Sequence, residues 1–404
     1  MSVSHQGTPL RQPRGAPSAQ RVELSSWVDT QDELDRLVRR LRAQPVVAAD
    51  TEADSFYSYA VKICLFQFST SEGDYLVDPL ANLDLSGLGE LFADSSVEIV
   101  FHAAENDIGL LKYLHRFRFA RLFDTMLAAQ ILGFRRCGLA ALLDEYFGVA
   151  VPKSLQTSDW RQRPLTPAQI DYACTDTHYL IPLRDRLVAE LERKGRLDEA
   201  RSEFERIAQC DWEPRPFDPH GFVHIHGARQ LDPLSLRCLK ELYLCRDRLA
   251  KKQDRAPYRV LTEAELLRIA ATRPRTAAQL AACGRLKAWR AEKLAPVLLK
   301  VLERAIRKGP LRALPVPSNT RRTRAPELSE QEKRLFEALR SWREETAARR
   351  EVIASRVATT AMLVGIARRA PRSLEELAKL PGMAPWRLEE YGQAILRIVA
   401  LRGR

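Results

Sequence analysis

Long apolar runs are missing from this 404-residue chain. No stretch approaches the ~20 consecutive apolar residues that a membrane-spanning helix needs, which argues against a helical membrane protein. Cysteine is sparse, with seven residues at 64, 137, 174, 210, 238, 245 and 283, never in C-x-x-C spacing. An odd, scattered set excludes a disulfide framework and a thiolate zinc site, and points to reduced thiols and a cytoplasmic location. Histidine is scarce too. His224-x-His226 reads as a strand with two facing imidazoles, but no Cys or third His lies near enough to complete a metal site. Residues 1–20 lack the apolar core of a secretion signal and are rich in Pro, Ser, Gln and Arg, the composition of a disordered leader.

What is present is a chain long enough for two or three domains, with ordinary globular hydrophobicity at 45%. Its charge is lopsided. Residues 1–210 hold 24 Lys+Arg against 30 Asp+Glu, and residues 211–404 hold 40 against 22, which together give the net +12. An acidic half suits a cation site and a basic half suits a polyanion such as nucleic acid. High Arg content can also be a compositional bias with no partner behind it.

Residues 46–52 (VVAADTE) are an apolar, β-branched run that ends in two carboxylates. On a strand, i and i+2 face the same way, so Asp50 and Glu52 project together. Such a pair is kept ionised by a bound cation, or else the strand simply runs out into a solvated acidic turn. Around it, residues 25–42 have helical spacing through Trp27, Leu34, Leu37 and Leu41, with Thr30 or Asp29 as N-cap. Strands over 60–70 and 74–78 complete an antiparallel meander with residues 46–52. A helical turn over 88–92 and a buried strand over 97–101 follow. Asp107 then falls in the first turns of a helix, where an acid either serves a ligand site or complements the helix dipole. Residues 123–126 lead into a helix through Leu132, and another helix runs from 138 to 147. After a polar loop over 152–164, Thr166 and Pro167 open a helix on which Tyr172 and Asp176 sit one turn apart. That pair can hold a metal and orient a water, or be a surface hydrogen bond.

Together the sites form a pattern. Asp50 and Glu52, then Asp107, then Tyr172-x-x-x-Asp176 resemble the three motifs of the DEDD exonucleases. The segments DTEADSF, FHAAENDIGLL, FDTMLAAQILG, SDWRQRPLT and DYACTDTHYL resemble ribonuclease D in particular, across residues 21–206. Tyrosine stands four residues before Asp176, and His178 lies on the wrong side to replace it, so the resemblance is to the tyrosine subclass. It implies an α/β ribonuclease H-like exonuclease domain, a mixed sheet flanked by helices, followed by two small all-α helical domains. It also implies two divalent metal ions, Mg²⁺ or Mn²⁺, with Asp50, Glu52, Asp107 and Asp176 as ligands and Tyr172 orienting a water. Carboxylate oxygens are the donors such hard cations prefer, and two ions 3.5–4 Å apart stabilise in-line phosphodiester hydrolysis. Asp54, Glu105, Asp124, Asp159 and Asp171 read as caps, surface charges or structural partners.

The basic half repeats itself at an offset of 97. Trp289-Arg290-x-Glu292 returns as Trp386-Arg387-x-Glu389, and Arg259, Leu266, Ile269, Pro274, Arg275 and Leu280 match Arg356, Leu363, Ile366, Pro371, Arg372 and Leu377. Each copy reads as short amphipathic helices around one core that includes its Trp, and each resembles the HRDC module. The expected domains are 21–210, 232–308 and 327–404, with a connector over 211–231 and a Pro/Arg-rich extended linker over 309–326. A basic run of Arg246, Arg248, Lys251, Lys252, Arg255 and Arg259 is a candidate for phosphate contact or a solvated face. Lys251, Lys252, Arg255 and Arg259 are the chosen RNA-binding residues. The expected partner is RNA with a free 3′ end, tRNA precursors by resemblance, with no membrane and no obligate protein partner. The expected activity is 3′→5′ exoribonuclease. A DNA-directed exonuclease and a non-catalytic RNA-binding protein are the alternatives.

Overall fold

In the computed structural model, residues 24–151, 155–210, 216–311 and 328–402 are described. The expected leader, most of the expected 309–326 linker and part of the connector lie outside them. The first domain runs β1 (Ser26–Val28), α1 (Gln31–Arg42), β2 (Val46–Ala53), β3 (Ile63–Thr70), β4 (Gly73–Val77), α2 (Ser86–Ala93), β5 (Glu98–Phe101) and α3 (Glu105–His115). It continues with β6 (Leu122–Asp124), α4 (Thr125–Leu132), α5 (Leu139–Phe147), α6 (Pro167–His178), α7 (Leu180–Arg193) and α8 (Leu197–Gln209). The strands form one mixed sheet in the order β1-β4-β3-β2-β5-β6. β2, β3 and β4 pair antiparallel as the expected meander, and β5 and β6 add in parallel.

The first helix differs from expectation. Trp27 lies on β1, which pairs with β4, and the helix begins only at Gln31 after Thr30. Trp27 falls at helical spacing from Leu34 by coincidence, because three residues of edge strand carry too little pattern to separate from the helix beyond.

β2 pairs with β5 only through Val46–Ala48. Asp50 and Glu52 therefore extend past the end of β5, beside the turn that starts α3. α6 packs across β3, β4 and β2, on the face where Asp50 stands opposite Gln67 and Glu52 opposite Leu65. Behind it Trp160, Leu165, Tyr172, Cys64, Leu65 and Leu76 form a small core of their own. Trp160 is 1% exposed, so the loop expected to be polar carries an apolar anchor. All seven cysteines are free thiols.

The second domain comprises α9 (Pro233–Gln253), α10 (Pro257–Val260), α11 (Glu263–Thr272), α12 (Ala277–Gly284) and α13 (Ala288–Arg307). The third comprises α14 (Glu330–Arg350), α15 (Ala354–Val357), α16 (Thr360–Arg369), α17 (Leu374–Ala378) and α18 (Pro385–Arg402). Each copy has a core of its own, as expected, but its first and last helices are long, 21 and 20 residues in the second domain and 21 and 18 in the third. Phe222, Val223, Ile225 and Ala228, expected in a connector, belong to the core of the second domain. His224 ends a 3₁₀ turn, not a strand, so the expected facing imidazoles do not form. Trp386 packs in the third domain, but Trp289 is 62% exposed, against the expectation that both are core.

The two copies dock on the first domain through the same corner. In the second domain, Asp254 accepts hydrogen bonds from Tyr59 N and Ala60 N at 3.2 and 3.1 Å. Arg259 donates to Phe56 O at 2.7 Å, with its guanidinium 3.8 Å over the Tyr57 ring. In the third, Arg350 pairs with Glu199 at 2.6 Å and Arg387 with Glu203 at 2.9 Å. Arg356, the counterpart of Arg259, also reaches Glu203, at 3.9 Å.

Candidate active site

The loop and helix that deliver Tyr172 are fixed before the site is reached. Thr166 and Gln169 close a reciprocal capping box at the start of α6, with Pro167 in its first turn. Arg163 grips Asp78 through two nitrogens at 2.6 Å and the Cys64 carbonyl at 2.7 Å. This bidentate, charge-assisted clamp holds buried Trp160 against the Tyr172 ring, 6.0 Å between centroids. At the far end of α6, Asp74 accepts from Ser69 at 2.5 Å and contacts His178 at 2.9 Å, and Ser69 lies 2.6 Å from the Thr177 hydroxyl. Asp176 is thereby bracketed on both sides.

The second motif rests on Asp124. Its buried carboxylate accepts from Ala103 N (3.1 Å), Ala104 N (2.9 Å) and Leu127 N (3.0 Å). It caps α4 and also holds the turn before α3, where Ala103 adopts a left-handed φ of 61°. A non-glycine residue in that region is strained and persists only where its surroundings hold it. Asp124 is thus the structural partner expected of it. So is Asp54, which accepts from Lys62 N at 2.7 Å. Asp159 pairs with Arg161 at 2.8 Å and Glu105 is exposed on the first turn of α3. Asp171 differs, since its Oδ1 is buried without a hydrogen-bond partner among the described residues.

These elements bring Asp50, Glu52, Asp107, Tyr172 and Asp176 within electrostatic reach of one another. Burial, then Asp107, Asp176 and Glu52, hold the Asp50 carboxyl well above the carboxylate range. Burial, then Asp176 and Asp107, push Glu52 up to about 9. Burial raises Asp107 against a hydrogen bond from Thr51, and raises Asp176 against one from Tyr172. Tyr172 is pushed above the ordinary phenol range by burial and then by Asp176 and Glu52, so it stays protonated and donates to Asp176. Among the described residues, no three His, Cys, Asp or Glu side chains converge closely enough to hold an ion as they stand. Asp107 is turned to Thr51 at 2.5 Å and Asp176 to Tyr172. The chemistry of the set still fits a hard divalent cation: all donors are oxygen, and positive charge would relieve the repulsion that raises them.

A cleft of about 600 Å³ opens here, lined among others by Asp50, Tyr172, Asp176, His102, Arg136 and Gln156. That is room for a nucleotide-sized ligand. Sequence reasoning missed His102, Arg136 and Gln156. Only the charge of Arg136 set it apart, and nothing placed its α4–α5 loop over the site. Burial lowers His102 to about 4, so it is a neutral imidazole at the cleft wall.

The chosen RNA-binding residues separate. Lys251, Lys252 and Arg255 are exposed at the end of α9, whereas Arg259 is engaged by Phe56 and Tyr57. Arg246, in the same basic run, is buried and donates to Leu261 O at 3.2 Å, so it belongs to the core of its domain.

Residues 25–192 match the 3′-5′ exonuclease family, and 235–302 and 332–399 each match the HRDC domain. Ribonuclease D of Acidiphilium cryptum is 30% identical over 93% of this chain and 95% of its own. Ribonuclease D of Gluconacetobacter diazotrophicus is 35% identical over 61% of this chain and 63% of its own, just under two thirds of that relative. The structure of Escherichia coli RNase D, described as an exoribonuclease involved in structured RNA processing, superposes with a TM-score of 0.61 at 27% identity, covering 93% of this chain and 98% of that one.

Proposed function

The chain belongs to the ribonuclease D family of 3′→5′ exoribonucleases, and from that premise we propose that Asp50, Glu52, Asp107 and Asp176 hold two divalent cations, Mg²⁺ or Mn²⁺, in hydrolysing the 3′-terminal phosphodiester of RNA. The observation that carries this reading is the gathering of four largely desolvated, mutually repelling carboxylates, of which Asp50 and Asp176 line one cleft. When bound, such ions neutralise charge on the attacking and leaving oxygens. Tyr172, kept protonated, is a donor held in place by Asp176 and by Trp160 behind it; it orients a water and is not the base. Neutral His102 and cationic Arg136 line the same cleft and face the terminal nucleotide. Exposed Lys251, Lys252 and Arg255 contact backbone phosphates of the RNA body without reading sequence. The first and third domains are taken as 21–210 and 327–404, and the second, expected over 232–308, is extended to begin at 216; three separate cores support this division, the second of them including Phe222, Val223, Ile225 and Ala228. The substrates are structured RNAs with 3′ extensions, tRNA precursors among them.

The test is to incubate 3′-extended tRNA and a matched DNA strand with the chain and with Asp50→Asn, with Mg²⁺, Mn²⁺ or EDTA. Release of nucleoside 5′-monophosphates from RNA, dependent on metal and on Asp50, is expected. Equal turnover by Asp50→Asn, or turnover in EDTA, refutes the ligand assignment, and preferential cleavage of the DNA strand replaces the RNA reading.

A further inference from the structure

The internal repeat supplies its own control for Trp289. The two copies share a scaffold. Arg290 donates to Val260 O at 2.6 Å, and its counterpart Arg387 donates to the counterpart carbonyl of Val357 at 3.3 Å. The tryptophan beside that arginine behaves differently. Trp386 lies 5.9 Å from the Tyr391 ring, which lies 5.6 Å from Trp342. At an offset of 97, Tyr391 and Trp342 correspond to Leu294 and Cys245, both buried. The second domain thus fills its core with smaller side chains, and its tryptophan stands outside, 62% exposed.

The charges around the ring diverge at the same positions. Arg285, Lys287 and Lys293 stand where the third domain has Gly382, Ala384 and Glu390. All three cations are exposed. Lys293 is i+4 from Trp289 on α13, and Val297, 41% exposed, continues the same face. Glu292 is the acid on this surface, and the other copy keeps it as Glu389. A solvated helix needs no bare indole, and a core position would not gain three cations around it.

We infer that Trp289, with Arg285, Lys287 and Lys293, is a single-strand RNA platform, the indole stacking one base while the cations meet the phosphates on either side. Every base has a π-face, so such a platform is sequence-tolerant. Three exposed cations within four residues of an exposed indole suit a polyanion, not an apolar protein surface. The inference rests on the exoribonuclease reading and adds a place, away from the cleft, where the strand is held.

The test is binding of a fluorescent oligouridylate in EDTA across a salt series, with hydrolysis of a short RNA measured separately. Trp289→Ala should weaken binding about tenfold, in line with one lost stacked base, and Trp289→Phe should retain most of the affinity. Lys287→Ala with Lys293→Glu, the residues of the other copy, should flatten the salt dependence by about 1.4 in log–log slope, at ~0.7 per phosphate. The melting temperature should stay unchanged, since these side chains are exposed. Wild-type affinity in Trp289→Ala, or an unchanged slope in the lysine pair, overturns the platform while leaving the nuclease reading intact. A wild-type chain that binds no oligouridylate also overturns the platform, whereas one that hydrolyses no RNA with Mg²⁺ or Mn²⁺ overturns the nuclease reading on which it rests.

Discussion

The Thr51 hydroxyl donates a 2.5 Å hydrogen bond to the Asp107 carboxylate, joining the strand that carries Asp50 and Glu52 to the helix that carries Asp107. Thr51 points away from the face of its two acidic neighbours because side chains alternate along a strand. Groups that orient a ligand from behind typically change metal affinity ten- to a hundredfold when removed. Thr51→Val keeps shape and removes the donor. The expected result is a Mg²⁺ activation curve displaced to about tenfold higher concentration, with the rate at saturating Mg²⁺ largely preserved. An undisplaced curve with a lowered plateau would mean that Thr51 does something other than hold Asp107.

The raised carboxyls make stability depend on pH. Glu52 moves from an ordinary 4.5 to about 9, and Asp50 is raised with it. The folded state therefore holds protons that the unfolded chain has lost across this window, and stability falls as pH rises through it. In EDTA the melting temperature should drop between pH 5 and pH 9. Cations bind the ionised form, so Mg²⁺ should restore more at pH 9 than at pH 5. Glu52→Gln should flatten the EDTA curve. A melting temperature in EDTA that rises with pH contradicts the burial of these acids.

Asp124 holds three backbone N–H groups and a strained residue together. In Asp124→Ala the amides of Ala103, Ala104 and Leu127 lose their acceptor, at about 1–3 kcal/mol for each buried group left unpaired. With partial relaxation, a loss of about 3 kcal/mol in unfolding free energy is expected by denaturant titration. Ala103, at φ 61°, is then free to leave its strained conformation and carry His102 and the start of α3 with it. Asp124→Asn keeps one acceptor oxygen and should lose less on both counts. If the alanine variant is as stable as wild type, the clamp does not hold the turn.

Much of this was legible because it is local. Asp50 and Glu52 share a face by strand alternation, Tyr172 and Asp176 by helical spacing, and the Thr166 cap needs only four residues to declare itself. The meander follows from three short runs that lie close together in the sequence. What escaped reading depends on residues distant in the chain. Trp289 and Trp386 share the motif Trp-Arg-x-Glu, and the aromatic packing that partly buries the second comes from Tyr391 on the same helix and Trp342 on another, where the first copy has Leu294 and Cys245. Arg259 looked like a free cation because nothing nearby in sequence announces Tyr57. Arg136 reaches the cleft because of how α5 folds back, not because of its own context. The docking corners were invisible for the same reason.

The last of these corners can be broken from either side. Gly133 ends α4 at φ +97°, and a Cβ there would lie 2.3 Å from the Glu351 carbonyl in the third domain. Backbone cannot yield as a flexible side chain can, so Gly133→Ala must push the two domains apart or bend both, beyond the ~1 kcal/mol an alanine costs at positive φ. Glu203 is the other side of the joint. Arg206, Arg356 and Arg387 gather on it at 3.1, 3.9 and 2.9 Å, and removing the one carboxylate leaves three guanidiniums near one another in a partly buried space. Glu203→Ala and Gly133→Ala should therefore give the same phenotype from opposite causes. The third domain should be released from α8, seen as faster proteolysis between the domains and a larger hydrodynamic radius. Hydrolysis of a short single strand should survive, since Asp50, Glu52, Asp107, Tyr172 and Asp176 lie outside this joint. Salt separates the two causes. High ionic strength screens the arginine repulsion and should partly redock Glu203→Ala, while the steric clash of Gly133→Ala is indifferent to it. If both variants respond equally to salt, or neither opens the joint, the third domain is held by contacts other than these.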